Sequence, residues 1–194
     1  MYKRQVLKPE IEPNHASMLT LIAAMAVAGG IEKTTGLECK IKWPNDIVVH
    51  GKKVCGILTE MSTQMDYINY IVIGIGINVQ NEAFPEEIGE VATSLRIESG
   101  KKQNRAAIIE AVWEEFEKYY DIYLKTEDMQ GLVGEYNRKL ANMNQQVRVL
   151  DPKDPYEGTA RGITPKGELI VDTWEARKLV SSGEVSVRGL YGYV

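Results

Sequence analysis

Leu19, Ile22, Ala23, Ala26 and Val27 hold helical spacing, so the pattern predicts a helix capped by Asn14 or Ser17 and running to about Gly29. Most intervening positions are apolar as well, which predicts burial on most sides. Small residues in its middle permit close packing on a sheet. Residues 1–13 are mixed in character, contain Pro9 and Pro13, and read as extended or irregular. Alternation begins at Cys39-Lys40-Ile41-Lys42-Trp43. A second run, Asp46–Val49, leads into His50-Gly51, a tight-turn signal, and Lys53–Glu60 returns from it. A fourth strand, Ile68–Asn78, follows a turn at Met65-Asp66. Its β-branched run Ile71-Val72-Ile73 suits a buried central strand.

Phe84-Pro85-Glu86-Glu87 reads as the start of a short helix. Asn104 caps the strongest helix, with Ala107, Ile108, Ala111, Val112, Glu115, Tyr119 and Ile122 along one face. A weaker helix spans about Met129–Leu140. Near Asn142 the composition changes to short strands with turns: Val147–Val149, Glu157–Ile163, Leu169–Val171, Arg177–Val180 and Val185–Val187. Five strands in about fifty residues predict a small barrel of SH3-like type. The fold class expected is α+β, with one unit over residues 1–142 and a second over 143–194.

The 194 residues suffice for one sizeable domain plus a small partner. A net charge of −4 excludes a general electrostatic pull toward nucleic acid or anionic membrane, so any phosphate contact must be local. In residues 147–189 cations and acids balance, which argues against a nucleic-acid-binding barrel. Cys39 and Cys55 are isolated, so a zinc site is not expected, and a reduced, cytoplasmic setting fits. The N-terminus lacks a secretory h-region. The longest apolar run, Met18–Ala28, is about half a bilayer span, so no membrane partner is expected. His15 and His50 read as surface histidines.

Three segments carry candidate chemistry. In Lys42-Trp43-Pro44-Asn45-Asp46, proline bends the chain between two apolar runs and presents Asn45 and Asp46 at a strand end. By itself the Pro-Asn-Asp triplet is ordinary turn chemistry as readily as a site. In Lys53-Val54-Cys55-Gly56-Ile57-Leu58, strict alternation places Lys53, Cys55 and Ile57 on one face and Val54, Gly56 and Leu58 on the other. Gly56 in a strand suggests close approach of a ligand or backbone. Lys53 is either a charge aimed at a carboxylate or phosphate, or a solvated residue after a turn. In Gly74-Ile75-Gly76-Ile77-Asn78-Val79, two glycines end a buried strand beside Asn78. The third glycine and following helix of a dinucleotide fingerprint are missing.

These segments, "KWPNDI", "KKVCGILTE" and "GIGINV", resemble in order and spacing the catalytic domain of biotin–protein ligases. The resemblance extends over roughly residues 16–189, from "LTLIAAMAVA" to "GTARGITPKGELIV". It implies a mixed sheet of the class II aminoacyl-tRNA-synthetase type followed by an SH3-like barrel. It also implies ATP-dependent ligation of biotin, through biotinyl-5'-AMP, to a lysine of a biotin carboxyl carrier protein. Lys53 and Asp46 are then the catalytic residues, with Lys53 on the biotin carboxylate and adenylate linkage. Gly56, Ile57 and Leu58 lie along biotin. Asn45, Gly76 and Asn78 lie near the nucleotide. Asp46 acts with Mg²⁺ or orients the acceptor lysine. Trp43 stands between a site residue and a core plug.

The family's Gly/Arg-rich loop, which closes over biotin and phosphates, finds no match in residues 1–15, nor does a DNA-binding winged helix. The chain is therefore expected to begin after that loop. Alone it is expected to be a weak or inactive ligase, with an open sheet edge that invites a homodimer. The competing readings are a lipoate-type ligase, against which "KWPND" argues, and a non-catalytic fragment that docks a carrier or dimerises.

Overall fold

The computed structural model describes residues 1–64, 67–183, 186–190 and 193. The expected turn at Met65-Asp66 and strand position Val185 lie outside them. The elements run β1 (Tyr2–Leu7), α1 (Met18–Thr35), β2 (Lys40–Lys42), β3 (Asp46–Val49), β4 (Lys52–Gln64) and β5 (Tyr67–Ile77). There follow α2 (Glu86–Gly89), α3 (Leu95–Ser99), α4 (Arg105–Thr126) and α5 (Val133–Lys139). The chain ends in β6 (Gln146–Leu150), β7 (Tyr156–Ile163), β8 (Leu169–Asp172), β9 (Arg177–Val180) and β10 (Ser186–Gly189).

The first sheet has the order β1-β5-β4-β3-β2, and every pairing in it is antiparallel. The mixed sheet expected from the resemblance is thus an antiparallel one, with parallel contacts confined to isolated bridges at Ile41–Leu140 and Lys53–Ala92. The second sheet, order β10-β6-β7-β8-β9, is also antiparallel. Its five strands match the predicted ones and pair, among the described residues, as a five-stranded antiparallel sheet; the pairings do not show the SH3-like barrel closed.

One face of the first sheet carries Ile71, Ile73, Ile75 and Ile77 into the core, beneath α1 and α4. The other face is open. α1 and the turn before it are long and apolar enough to cross a bilayer by length and composition, but 72% of that window is buried inside the fold. The Asn104 cap is as predicted: its side chain accepts from the backbone N–H groups of Ala106 and Ala107. The buried face of α4 uses Phe116 and Tyr123 in place of the predicted Glu115 and Ile122.

Non-local pairing sharpens one local reading and overturns another. Residues 2–7, read as extended or irregular, are a strand because Tyr2–Leu7 pairs along Ile71–Gly76. α1 continues through Gly29-Gly30 to Thr35, since Gly30 is where α4 crosses: a Cβ there would lie 2.7 Å from the backbone nitrogen of Val112. Glycine usually costs a helix about 1 kcal/mol relative to alanine. Here the order reverses. Gly30→Ala is expected to destabilise the protein by about 1–3 kcal/mol, the usual cost of overpacking. Urea unfolding checks this, and a gain in stability would show that the helices can separate freely.

Candidate active site

The proline turn Trp43-Pro44 contains a cis peptide bond and joins β2 to β3. Trp43 resolves as a plug. It is 2% exposed, its indole Nε1 donates to the Gly167 carbonyl at 3.1 Å, and its backbone N–H donates to Asn142 Oδ1 at 2.9 Å. It therefore ties the turn of the first sheet to the β7–β8 turn of the second. Asn45 is held across the turn: its Nδ2 donates to the Ile57 carbonyl, and the Ile57 N–H donates to the Asn45 carbonyl, both at 2.9 Å.

Lys53 sits on a different face from the one strict alternation predicts. The β3–β4 register slips between Ile47, opposite Cys55, and Val48, opposite Lys53, which makes Val54 an extra residue. A bulge of this kind re-aims the side chains on one side of it. Lys53 consequently lies over Gly56: a Cβ at Gly56 would stand 3.0 Å from Lys53 Nζ and 3.6 Å from Asp46 Oδ1. Gly56 is the clearing in which Lys53 and Asp46 meet, with Nζ 2.6 Å from Oδ1. The Lys53 ammonium thus covers the buried Oδ1. Asp46 is 8% exposed.

The register places Gly76 between Gly56 and Tyr2, and Gly74 between Leu58 and Arg4. The open face therefore has a glycine floor with Tyr2, Arg4 and Leu58 on its rim and the Lys53–Asp46 pair at one side. Leu58 is 63% exposed there, whereas Ile57 turns into the core. Asn78 lies at the end of β5, where its Nδ2 donates to the Thr93 carbonyl at 3.1 Å and its N–H to the Val54 carbonyl. The structure thus groups Lys53, Asp46, Gly56, Gly76 and Leu58. Asn45 and Asn78 brace the flanking strand ends.

Beside this floor a cleft of about 1190 Å³ opens between the two sheets, lined by Lys42, Asp46, Glu90, Arg188 and Tyr193 among others. Sequence reasoning missed Tyr193, an aromatic among the last residues with no local pattern to mark it. Its hydroxyl donates to Asp46 Oδ2 at 2.5 Å, and its ring lies 3.9 Å from Lys42 Nζ. Burial and the Asp46 carboxylate push the Tyr193 phenol well above its ordinary range. Lys42 is itself 8% exposed, and burial lowers its ammonium's pKa against the opposing pull of Asp46. Among the described residues no group of three or more His, Cys, Asp or Glu could hold a metal ion.

This architecture has known counterparts. A model of the biotin/lipoate A/B protein ligase family matches residues 5–78, and one of the biotin protein ligase C-terminal domain matches residues 143–188. The bifunctional ligase/repressor BirA of Bacillus spizizenii is 38% identical over 94% of this chain and 56% of its own length. The biotin–[acetyl-CoA-carboxylase] ligase of Mycobacterium tuberculosis is 30% identical over 86% of this chain and 61% of its own. This chain thus spans little more than half the length of these relatives. The biotin protein ligase of Aquifex aeolicus, solved with biotin and ATP, superposes with a TM-score of 0.86 at 29% identity. That match covers 97% of this chain and 78% of the other. On the two family models, these relatives and the shared fold, the chain belongs to the biotin protein ligase family.

Proposed function

We propose that the protein activates biotin with ATP and transfers the biotinyl group to a lysine of a biotin carboxyl carrier protein. The observation that carries this reading is the Lys53 ammonium, paired with Asp46 over Gly56 at the side of a glycine floor. The biotin carboxylate attacks the α-phosphate of ATP, forming biotinyl-5'-adenylate and releasing pyrophosphate. Lys53 offsets the negative charge that gathers on the phosphate. In the second step the acceptor lysine, having lost a proton, attacks the activated carbonyl and AMP leaves. Asp46 orients that amine.

Gly56 and Gly76 admit the ligand close to the backbone, and Leu58 is the apolar wall. Ile57 supports the site from the core side. Asn45 and Asn78 serve the nucleotide by fixing the strand ends it would rest against. Mg²⁺ fits this site poorly as a resident ion, since Asp46 already faces an ammonium and a phenol. It would arrive on the nucleotide phosphates, as is usual for that ion. We divide the chain into a catalytic unit, 1–142, and a C-terminal unit, 143–194, that closes the cleft. Free, buried Cys39 and Cys55 suit a reducing cytoplasm. The outer edge of β1 is where a second copy would add a strand.

Biotin-dependent exchange of labelled pyrophosphate into ATP is the test. The expected result is weak exchange with biotin, as residues 1–15 offer no match to the Gly/Arg-rich loop, and none with lipoate. Exchange with lipoate alone would favour the lipoate-type reading. Capture of a carrier domain with no exchange would reduce the chain to a docking module.

A further inference from the structure

Tyr193 reaches Asp46 from the far end of the chain, 147 residues away in sequence, and crosses the cleft to do so. Asp46 then has two unlike oxygens. Oδ2 accepts a 2.5 Å hydrogen bond from the Tyr193 hydroxyl. Oδ1 is buried beneath the Lys53 ammonium, 2.6 Å away. The cleft in front of it is large for a small-molecule pocket, where about 300–1,000 Å³ is usual, so it has room for the lysine of a protein substrate.

We propose that Tyr193 is a positioning residue for acyl transfer. Its hydroxyl pins the Asp46 carboxylate through Oδ2, so that Oδ1, which Lys53 now covers, is the oxygen left to the incoming lysine ammonium once Lys53 engages the phosphate. This assignment rests on the ligase reading above. The ammonium hydrogen-bonds to Oδ1 and gives one proton to that carboxylate; the neutral amine attacks the biotinyl carbonyl, and the C–O bond to AMP breaks as the nitrogen loses its second proton to the departing phosphate or to solvent. The proton on Asp46 passes to solvent when the product leaves. The Tyr193 ring meanwhile covers Lys42, which keeps that second ammonium from competing for the carboxylate. Without the hydroxyl the carboxylate can turn about its own axis and offer the wrong oxygen.

The test supplies the full chain with synthetic biotinyl-5'-adenylate and compares two acceptors, a biotin carrier domain and hydroxylamine. Hydroxylamine is already neutral at neutral pH and needs no carboxylate to free its lone pair. For Tyr193→Phe, which keeps the ring over Lys42, the ratio of carrier transfer to hydroxylamine capture is expected to fall about tenfold or more, the worth of one hydrogen bond to a charged group. Asp46→Asn should lower the same ratio, and Tyr193→Phe added to it should lower it no further. An unchanged ratio in Tyr193→Phe overturns the proposal. So does a rise, which would make the hydroxyl a competitor for Oδ1 rather than a support. If the unaltered chain transfers nothing to the carrier from supplied adenylate, the ligase reading fails and this assignment falls with it.

Discussion

Lys53→Ala is expected to cut biotin-dependent pyrophosphate exchange by about 10²–10³-fold, the range for removing one preorganised charge-stabilising group. The size follows from position. Lys53, its ammonium 2.6 Å from Asp46 Oδ1, stands at the side of the glycine floor, where a phosphate bearing new charge would meet it. The substitution also leaves Asp46 buried with Tyr193 as its partner. The pair is partly open, since the Lys53 side chain is 36% exposed, so the structural cost should be about 1–2 kcal/mol, below that of breaking a fully buried pair. The double variant Lys53→Ala/Asp46→Asn removes the stranded carboxylate charge. It should recover most of that stability while exchange stays low. Thermal unfolding and exchange measured on both variants separate the two effects. Exchange above about a tenth of the original in Lys53→Ala would remove this residue from the chemistry.

Trp43→Ala is expected to cost about 3–5 kcal/mol of stability, the range for truncating a buried large aromatic. Trp43 fills space between the sheets, and its indole N–H satisfies the Gly167 carbonyl. Backbone joins the units elsewhere as well, through Met129 N–H to the Pro165 carbonyl at 2.7 Å. Loss of the plug should therefore loosen the C-terminal sheet against the first and carry Tyr193 away from Asp46. Urea unfolding followed by far-UV circular dichroism should show the midpoint fall. A loss under about 1 kcal/mol would mean that the indole is replaceable packing. Trp43→Phe keeps most of the volume and removes the donor. It should lose less than the alanine variant, leaving the Gly167 carbonyl as its main deficit.

Local signals governed much of the fold. Asn104 announced α4 because a cap acts on donors two and three residues away, a range that sequence alone spans. His50-Gly51 announced the β3–β4 turn because both positions need positive φ, observed at 48° and 77°. The alternating runs of the C-terminal unit became strands, while closure into the expected barrel depends on pairing that no single run encodes. The three motifs identified the family because their residue types and order are specific. They also named Lys53, Asp46 and Gly56, which the fold brings together.

What the tertiary structure alone decided lies where partners are distant in the chain. Tyr2–Leu7 is a strand only because β5 supplies its pairing, and the segment has no apolar alternation strong enough to declare itself. Gly29-Gly30 looked like a helix end, but α4 passes too close for any other residue at position 30. The bulge at Val54 turned Lys53 onto the face of Gly56, and one inserted residue in a pairing register leaves no mark in a single strand's pattern. Trp43 became a plug once Gly167 and Asn142 lay beside it. Tyr193 met Asp46 only when the second sheet folded back over the first. Sequence patterns record what a residue needs from its near neighbours. Register, packing distance and contacts between remote segments arise from the whole chain, and they set which way Lys53 and Asp46 face.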